Sequence, residues 1–215
     1  MNRGLFGGTF NPVHNGHIQI VDTIRKAFAL DEMVVIPAAN PPHKNLDTMA
    51  DAEDRLEMTR LAFESMPGIT VSDVELRRTG RSYTIDTIDF FLNNTNQRHL
   101  YLIMGLDAFL EIHTWKSFMA ILTMVPVIII HRPDEDRETI PFEEYLKSTI
   151  SNCYTFSKDR GGYIHDTLQP VFFYPSLCID ISSTGIRERL NAGRSVDDFV
   201  PPAVATFIKN KGLYQ

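Results

Sequence analysis

Cysteine and long apolar runs are both scarce in this sequence. Only two cysteines occur among 215 residues, Cys153 and Cys178, which form neither a metal-type pair nor a disulfide framework. No apolar run approaches the roughly 20 residues that a membrane-spanning helix needs. The segment after Met1 also lacks the hydrophobic region of a signal peptide. We therefore expect a cytoplasmic protein without a membrane partner.

Positive charge is also in short supply. The sequence has 21 Lys and Arg against 27 Asp and Glu, a net charge of −6, so a general nucleic-acid-binding surface is not expected. An acidic protein that binds polyphosphate must concentrate its positive charge at one place. Such a place is expected where a helix start combines with basic side chains.

Several well-known catalytic motifs are missing. The sequence contains no dinucleotide-binding G-x-G-x-x-G, no P-loop, no G-x-S-x-G elbow and no H-E-x-x-H. Nothing therefore indicates a covalent nucleophile or a zinc site, and we expect no metal ligands from the protein. A phosphate-binding site without a nucleophile favours direct displacement between two bound substrates, with catalysis by alignment and charge stabilisation.

What is present is a strand, a glycine-containing turn and a helix start at residues 7–17, Gly-Gly-Thr-Phe-Asn-Pro-Val-His-Asn-Gly-His. Gly7 and Gly8 allow a sharp turn and a close approach of a ligand to the backbone. The free N–H groups of a helix start suit phosphate, and His14 and His17 add further donors there. We predict a triphosphate cradle; the alternative is a tight turn that carries two surface histidines.

A second candidate anion site lies at residues 182–187. Serine and threonine hydroxyls precede a helical pattern, where capping is their ordinary role. Arg187 follows Thr184 by three residues and so lies one turn along the same side of the helix start. Hydroxyls, free N–H groups and a guanidinium therefore converge, which favours anion binding.

Strands alternate with helical patterns along the whole chain. This alternation predicts an α/β fold, a Rossmann-like open parallel sheet flanked by helices. We expect a single domain over residues 1–215, with a peripheral irregular segment at 134–170. Ligands of such sheets bind beyond the carboxyl ends of the strands. The residues that follow predicted strands are Gly7 to His17, Lys44, Asp107, Arg132 and Ser183 to Arg187.

The two outer motifs resemble a known superfamily. Residues 7–17 are similar to the H-x-G-H signature of nucleotidyltransferases, and residues 181–187 to its I-S-S-T-x-I-R segment. Over essentially the full length the chain resembles bacterial nicotinate-nucleotide adenylyltransferases. The intermediate points of match are residues 41–44, 82–84, 105–107, Trp115, 131–133 and 211–214.

The resemblance implies transfer of the adenylyl group of ATP to nicotinate mononucleotide, giving nicotinate adenine dinucleotide and pyrophosphate by in-line displacement. It implies Mg²⁺ as cofactor, held largely by phosphate oxygens and water. A homo-oligomer is left open. The implied roles are catalytic for His14, His17 and Arg187; ATP-binding for Gly7, Gly8, Thr9, Phe10, Asp107, Arg132, Ser183 and Thr184; and nicotinate mononucleotide-binding for Lys44, Tyr83, Thr84 and Trp115.

Each intermediate residue also has an ordinary interpretation. Lys44 would lie in a solvated loop, Thr84 and Asp107 would be helix N-caps, and Trp115 would be a packing residue. Position 11 is Asn where many superfamily members carry Asp, which weakens a metal-ligand role there. The alternative functions are another adenylyl- or cytidylyltransferase, such as phosphopantetheine adenylyltransferase, and a nucleotide-binding regulator without catalysis.

Overall fold

Short apolar runs form a mixed sheet in this computed structural model, which describes residues 1–41, 49–94, 99–131, 142–175 and 181–215. Within these ranges eight strands lie in the order β3-β2-β1-β4-β5-β8-β7-β6. The strands are Asn2–Gly8 (β1), Glu32–Pro37 (β2), Ile69–Val71 (β3), His99–Gly105 (β4), Val127–His131 (β5), Thr155–Ser157 (β6), Gly162–Ile164 (β7) and Val171–Pro175 (β8).

Helices alternate with these strands, as the sequence predicts. A 3₁₀ turn covers Ile112–Thr114, and a π-helical turn covers Leu146–Ile150. No helix within the described ranges is long and apolar enough to cross a membrane. The α-helices are Asn15–Ala27 (α1), Ala52–Phe63 (α2), Thr84–Asn94 (α3), Leu106–Leu110 (α4), Phe118–Met124 (α5), Phe142–Tyr145 (α6), Ser183–Asn191 (α7) and Pro202–Lys211 (α8).

The chain forms two compact units. Unit 1 contains Met1–Leu5 and Tyr83–Cys178, and its centre is the parallel trio β4, β5 and β8. In β5 the residues from Val127 to Ile130 are all buried, as expected for a parallel strand covered on both faces. The predicted α/β fold with a largely parallel sheet is confirmed.

Residues 142–170, here called the hairpin region, correct one part of that prediction. We expected an irregular segment at residues 134–170, but β6 and β7 pair antiparallel and β7 pairs antiparallel with β8. Strands of three residues alternate too few times to give a recognisable pattern. The sheet is therefore mixed at this edge.

Unit 2 contains Phe6–Ser82 and Ile179–Gln215. Here β2 and β3 pair in parallel, and α2 packs against α8, where Lys211 Nζ lies 3.0 Å from Asp54 Oδ1. The last helix begins at Pro202 and ends at Lys211, and its C-cap residue Gly212 has φ 63°. Proline suits the first turn of a helix, and glycine suits the left-handed C-cap.

Candidate active site

The start of α1 determines which nitrogen of His17 carries a proton. His14 is the N-cap residue, with extended backbone, and its N–H donates to His17 Nδ1 at 3.2 Å. A backbone N–H is always a donor, so Nδ1 must accept, and the neutral ring carries its proton on Nε2. His17 is half-buried. Its Nε2–H is therefore the donor that the ring can offer to an anion.

The two histidine rings stack on each other. Their centroids are 3.7 Å apart at an interplanar angle of 31°, and His14 is only 1% exposed. A Cβ at position 16 would lie 3.0 Å from His14 Nδ1, so Gly16 makes room for this ring. The alternative of two surface histidines is therefore wrong, because His14 is part of the buried base of the turn.

The glycines before α1 have different surroundings. A Cβ at Gly8 would lie 2.9 Å from the Phe10 ring, whereas a Cβ at Gly7 would meet nothing within 4 Å. The space beside Gly7 suits the close approach of a ligand to the backbone. Phe10 has φ 49°, is 2% exposed and contacts the His17 ring edge-on at 5.0 Å. Its side chain therefore supports His17, and any ligand contact would have to come from its backbone.

The start of α7 is capped as the sequence predicts. Ser182 is the N-cap, and its Oγ accepts from the Gly185 N–H at 3.0 Å. A Cβ at Gly16 would also lie 3.9 Å from the Ile181 carbonyl oxygen. The starts of α1 and α7 are therefore adjacent.

Two hydrogen bonds join the first motif to the last. Ser183 Oγ donates to the Pro12 carbonyl at 2.9 Å, and Arg187 Nη1 donates to the Asn11 carbonyl at 2.8 Å. Arg187 Nη2 also donates to Thr184 Oγ1 at 3.2 Å. The expectation that the two motifs meet is confirmed. We call residues 7–17, Arg55, residues 182–187 and Tyr214 the motif cluster.

Asn11 and Tyr214 were not predicted as site residues. Asn11 is 7% exposed, and its Oδ1 accepts from the Ala50 N–H at 3.0 Å and from the Tyr214 hydroxyl at 2.7 Å. Burial raises the pKa of Tyr214, and the nearby Asp54 raises it further, while Arg187 and Arg55 oppose the shift. The sequence signal was the position of both residues inside segments that match the family.

Arg55 was also missed, although its side chain is fully buried in unit 2. It is 0% exposed, and burial lowers its pKa, with Tyr214 and Asp51 opposing. A signal was available, because Arg55 precedes Met58, Thr59 and Ala62 by three, four and seven residues, on the buried face of α2. Its guanidinium donates to the carbonyls of Thr9 (2.9 Å), Ala38 (2.6 Å), Ala39 (3.1 Å) and Ala50 (2.9 Å).

Unit 1 holds three of the four residues predicted to bind the pyridine nucleotide, namely Tyr83, Thr84 and Trp115. Lys116 Nζ lies 4.7 Å from the centroid of the Tyr83 ring and 3.0 Å from Asp86 Oδ1. The segment after the 3₁₀ turn therefore neighbours the start of α3. Trp115, which directly precedes Lys116, is half-buried. Tyr83, Thr84 and Trp115 therefore lie in one part of unit 1, and their substrate contacts stay predictions.

The capping alternatives for two residues are wrong. Helix α3 begins at Thr84 itself, and the Tyr83 carbonyl accepts from the N–H groups of Asp86 and Thr87, so Tyr83 occupies the cap position. Helix α4 has Gly105 as N-cap, and Asp107 lies within the first turn with its carboxylate folded over Gly105. Asp107 is exposed, so its predicted contact with ATP is not obstructed by burial.

Two predicted ligand residues, Lys44 and Arg132, lie outside the described residues. Within the ranges that the structure describes, no group of three or more His, Cys, Asp or Glu side chains could hold a metal ion. Asn11 Oδ1 is already engaged by two donors. This donor set fits a cation that is bound mainly through substrate phosphates and water.

Known proteins resemble this chain over its full length. The pattern of the cytidylyltransferase-like family matches residues 5–189. Among curated relatives, a protein of Desulfatibacillum aliphaticivorans is 37% identical over 100% of both chains, and one of Geobacter sp. (strain M21) is 38% identical over 100% of this chain and 98% of its own. Both are named as probable nicotinate-nucleotide adenylyltransferases.

Solved structures share the fold at low sequence identity. The Plasmodium falciparum nicotinic acid mononucleotide adenylyltransferase complexed with NaAD superposes with a TM-score of 0.75. It is 18% identical, over 99% of this chain and 97% of its own, and so supports the fold alone. The same enzyme complexed with APC gives a TM-score of 0.72.

Proposed function

The chain belongs to the cytidylyltransferase-like family, among the nicotinate-nucleotide adenylyltransferases, and we propose that it transfers the adenylyl group of ATP to nicotinate mononucleotide. The products are nicotinate adenine dinucleotide and pyrophosphate, which places the reaction in NAD biosynthesis. The observation that carries the proposal is the pair of bonds from Ser183 and Arg187 to the Pro12 and Asn11 carbonyls. It brings two helix starts and a guanidinium beside the stacked histidines.

The reaction is a single displacement at the α-phosphorus of ATP. A phosphate oxygen of nicotinate mononucleotide forms the new P–O bond, and the bond from the α-phosphorus to the α,β-bridging oxygen breaks. The electron pair of that bond stays with pyrophosphate, which carries the additional negative charge away. No covalent bond to the protein is required, so the work of the site is alignment and charge stabilisation.

The motif cluster is suited to the charge that develops on pyrophosphate. His17 offers Nε2–H, and Arg187 offers a guanidinium that two protein acceptors hold in place. The dipoles of α1 and α7 add partial positive charge at the two helix starts. His14 supports the His17 ring by stacking. We propose that these residues contact the leaving pyrophosphate. The α-phosphate is proposed to be bound by Gly7, Gly8, Thr9, Phe10, Ser183 and Thr184.

The remaining substrate contacts are carried over from the sequence. Asp107 and Arg132 are proposed for the nucleoside part of ATP, and Lys44, Tyr83, Thr84 and Trp115 for nicotinate mononucleotide. A half-buried indole and phenol suit a flat pyridine ring. Mg²⁺, when bound with ATP, would offset phosphate charge while keeping much of its water. We keep the cytoplasm as the proposed location.

The test is an acceptor comparison. Pyrophosphate release from ATP should be measured with nicotinate mononucleotide, with nicotinamide mononucleotide and with phosphopantetheine. We expect the highest kcat/KM with nicotinate mononucleotide and formation of nicotinate adenine dinucleotide. Turnover with one of the other acceptors and none with nicotinate mononucleotide would overturn the proposal.

A further inference from the structure

Tyr214 has an unusual backbone conformation for its residue type. Helix α8 ends at Gly212 in the left-handed region, and the Leu213 N–H donates back to the Ile208 carbonyl at 3.1 Å. Tyr214 then takes φ 64°, a left-handed conformation that is unfavourable for a residue with a side chain. The reversal directs Tyr214 into unit 2 rather than along the helix axis. Such a conformation persists only where other contacts hold it.

The contact that holds Tyr214 is its hydroxyl. It donates to Asn11 Oδ1 at 2.7 Å, across 203 residues of sequence. The pKa of this hydroxyl is raised, chiefly by burial, so it remains protonated and a donor at neutral pH. The Ala50 N–H supplies the second donor to the same oxygen. The Asn11 side chain is therefore fixed from two directions.

The backbone of the same residue positions Arg187. The Asn11 carbonyl accepts from Arg187 Nη1 at 2.8 Å, while Nη2 is held by Thr184 Oγ1 at 3.2 Å. A guanidinium held at two nitrogens has a fixed plane, which matters for recognition of phosphate. A change at the Asn11 side chain will tilt its peptide group and move this plane. Tyr214 is thereby connected to a group that we assign to the leaving pyrophosphate.

We propose that Tyr214 is a positioning residue for adenylyl transfer, acting through Asn11 on the Arg187 guanidinium. This inference rests on the proposed function. Tyr214 itself does not touch substrate in this account. Its hydroxyl keeps the Asn11 carbonyl where Arg187 needs its acceptor.

The test compares two conservative variants. Tyr214→Phe removes one partly buried hydroxyl bond. Tyr154→Phe is the matched control, because the Tyr154 hydroxyl makes an equally part-buried bond to the Gln169 carbonyl at 2.9 Å within the hairpin region. Urea unfolding should show similar stability losses in the two variants. We expect kcat to fall about tenfold in Tyr214→Phe and less than about twofold in Tyr154→Phe. Equal kcat values in the two variants would overturn the proposal.

A double-mutant cycle separates positioning from general destabilisation. In an Arg187→Ala background Tyr214→Phe should change kcat by less than about twofold, because the group it positions is gone. The same tenfold loss in both backgrounds would contradict the proposal. Asn11→Ala, which removes the acceptor instead of the donor, should repeat the pattern. Wild-type protein inactive on nicotinate mononucleotide would instead count against the proposed function.

Discussion

Polar side chains are used differently in the motif cluster and in the hairpin region. In the motif cluster the bonds from Arg187 and Tyr214 to Asn11 join residues 176 and 203 positions apart, at a buried asparagine. In the hairpin region Lys147 pairs with Glu143 four residues away, and Tyr163 donates to the same exposed carboxylate. The contacts in the motif cluster hold together backbone segments from distant parts of the sequence. The contacts in the hairpin region join side chains on an exposed surface.

Because of this difference, substitutions in the two regions should differ in their effects on turnover and on stability. A buried polar group that loses its partner leaves another buried group unsatisfied, whereas an exposed group can bond to water. Substitutions in the motif cluster should therefore change both stability and turnover. Matched substitutions in the hairpin region should change stability alone, or neither. Three comparisons between the two regions and one titration within the hairpin region test this.

The largest effect is expected at Arg55. Arg55→Met removes donors from four buried or half-buried carbonyls, and we expect a loss of about 3–5 kcal/mol in the free energy of unfolding. Arg160, exposed in the hairpin region, is the control, and Arg160→Met should stay within about 0.5 kcal/mol. Urea unfolding measures both. Equal losses in the free energy of unfolding of the two variants would contradict the structural role assigned to Arg55.

The next effect is kinetic and concerns His17. His17→Ala removes the Nε2–H donor, and we expect kcat to fall by about 10²–10³ with the fold intact. His165→Ala is the control, since His165 accepts backbone N–H groups from Thr167 and Leu168 inside the hairpin region. Its kcat should be close to that of the wild type in the pyrophosphate-release assay. Near-normal turnover of His17→Ala would reject the role assigned to this ring.

A smaller effect is expected from the helix cap. Ser182→Ala removes the acceptor of the Gly185 N–H, and loss of an N-cap typically costs about 0.5–2 kcal/mol. Ser157→Ala in the hairpin region removes a longer contact of 3.4 Å with the Arg160 N–H and should cost less. Thermal unfolding of both variants gives the ranking. The reverse ranking would contradict the importance of the α7 start.

The smallest effect is a pH dependence in the hairpin region. Burial, followed by the Glu143 carboxylate, raises the pKa of Tyr163 to about 12. Since the ordinary pKa of tyrosine is about 10, Tyr163 stabilises the folded state fully below pH 10 and loses this contribution as the pH rises towards 12. Tyr163→Phe should remove one tyrosinate absorbance step near pH 12. An unchanged titration would place that step on another tyrosine.

The sequence predicted the elements whose signals are local. The strand, glycine turn and helix at residues 2–27 follow from an apolar run and helical periodicity, and the Ser182 cap follows from its position before a helical pattern. The meeting of the two outer motifs followed from the topology of a parallel sheet. The assignment to nicotinate mononucleotide rested on the family resemblance.

What the sequence did not predict depends on distant contacts. The burial of Arg55 is tolerable only because carbonyls from three chain segments converge on it, and no local pattern encodes that convergence. The bond from Tyr214 to Asn11 likewise requires the end of α8 to return to the first motif. The hairpin of β6 and β7 was missed because three-residue strands carry too short a pattern.

The central claim is that the first and last motifs hold one polyphosphate together. A crystal structure of the protein with a non-hydrolysable ATP analogue tests it most directly. We predict that His17 Nε2 and the Arg187 guanidinium both lie within about 3 Å of phosphate oxygens of the same molecule. A triphosphate bound away from either side chain would contradict the account.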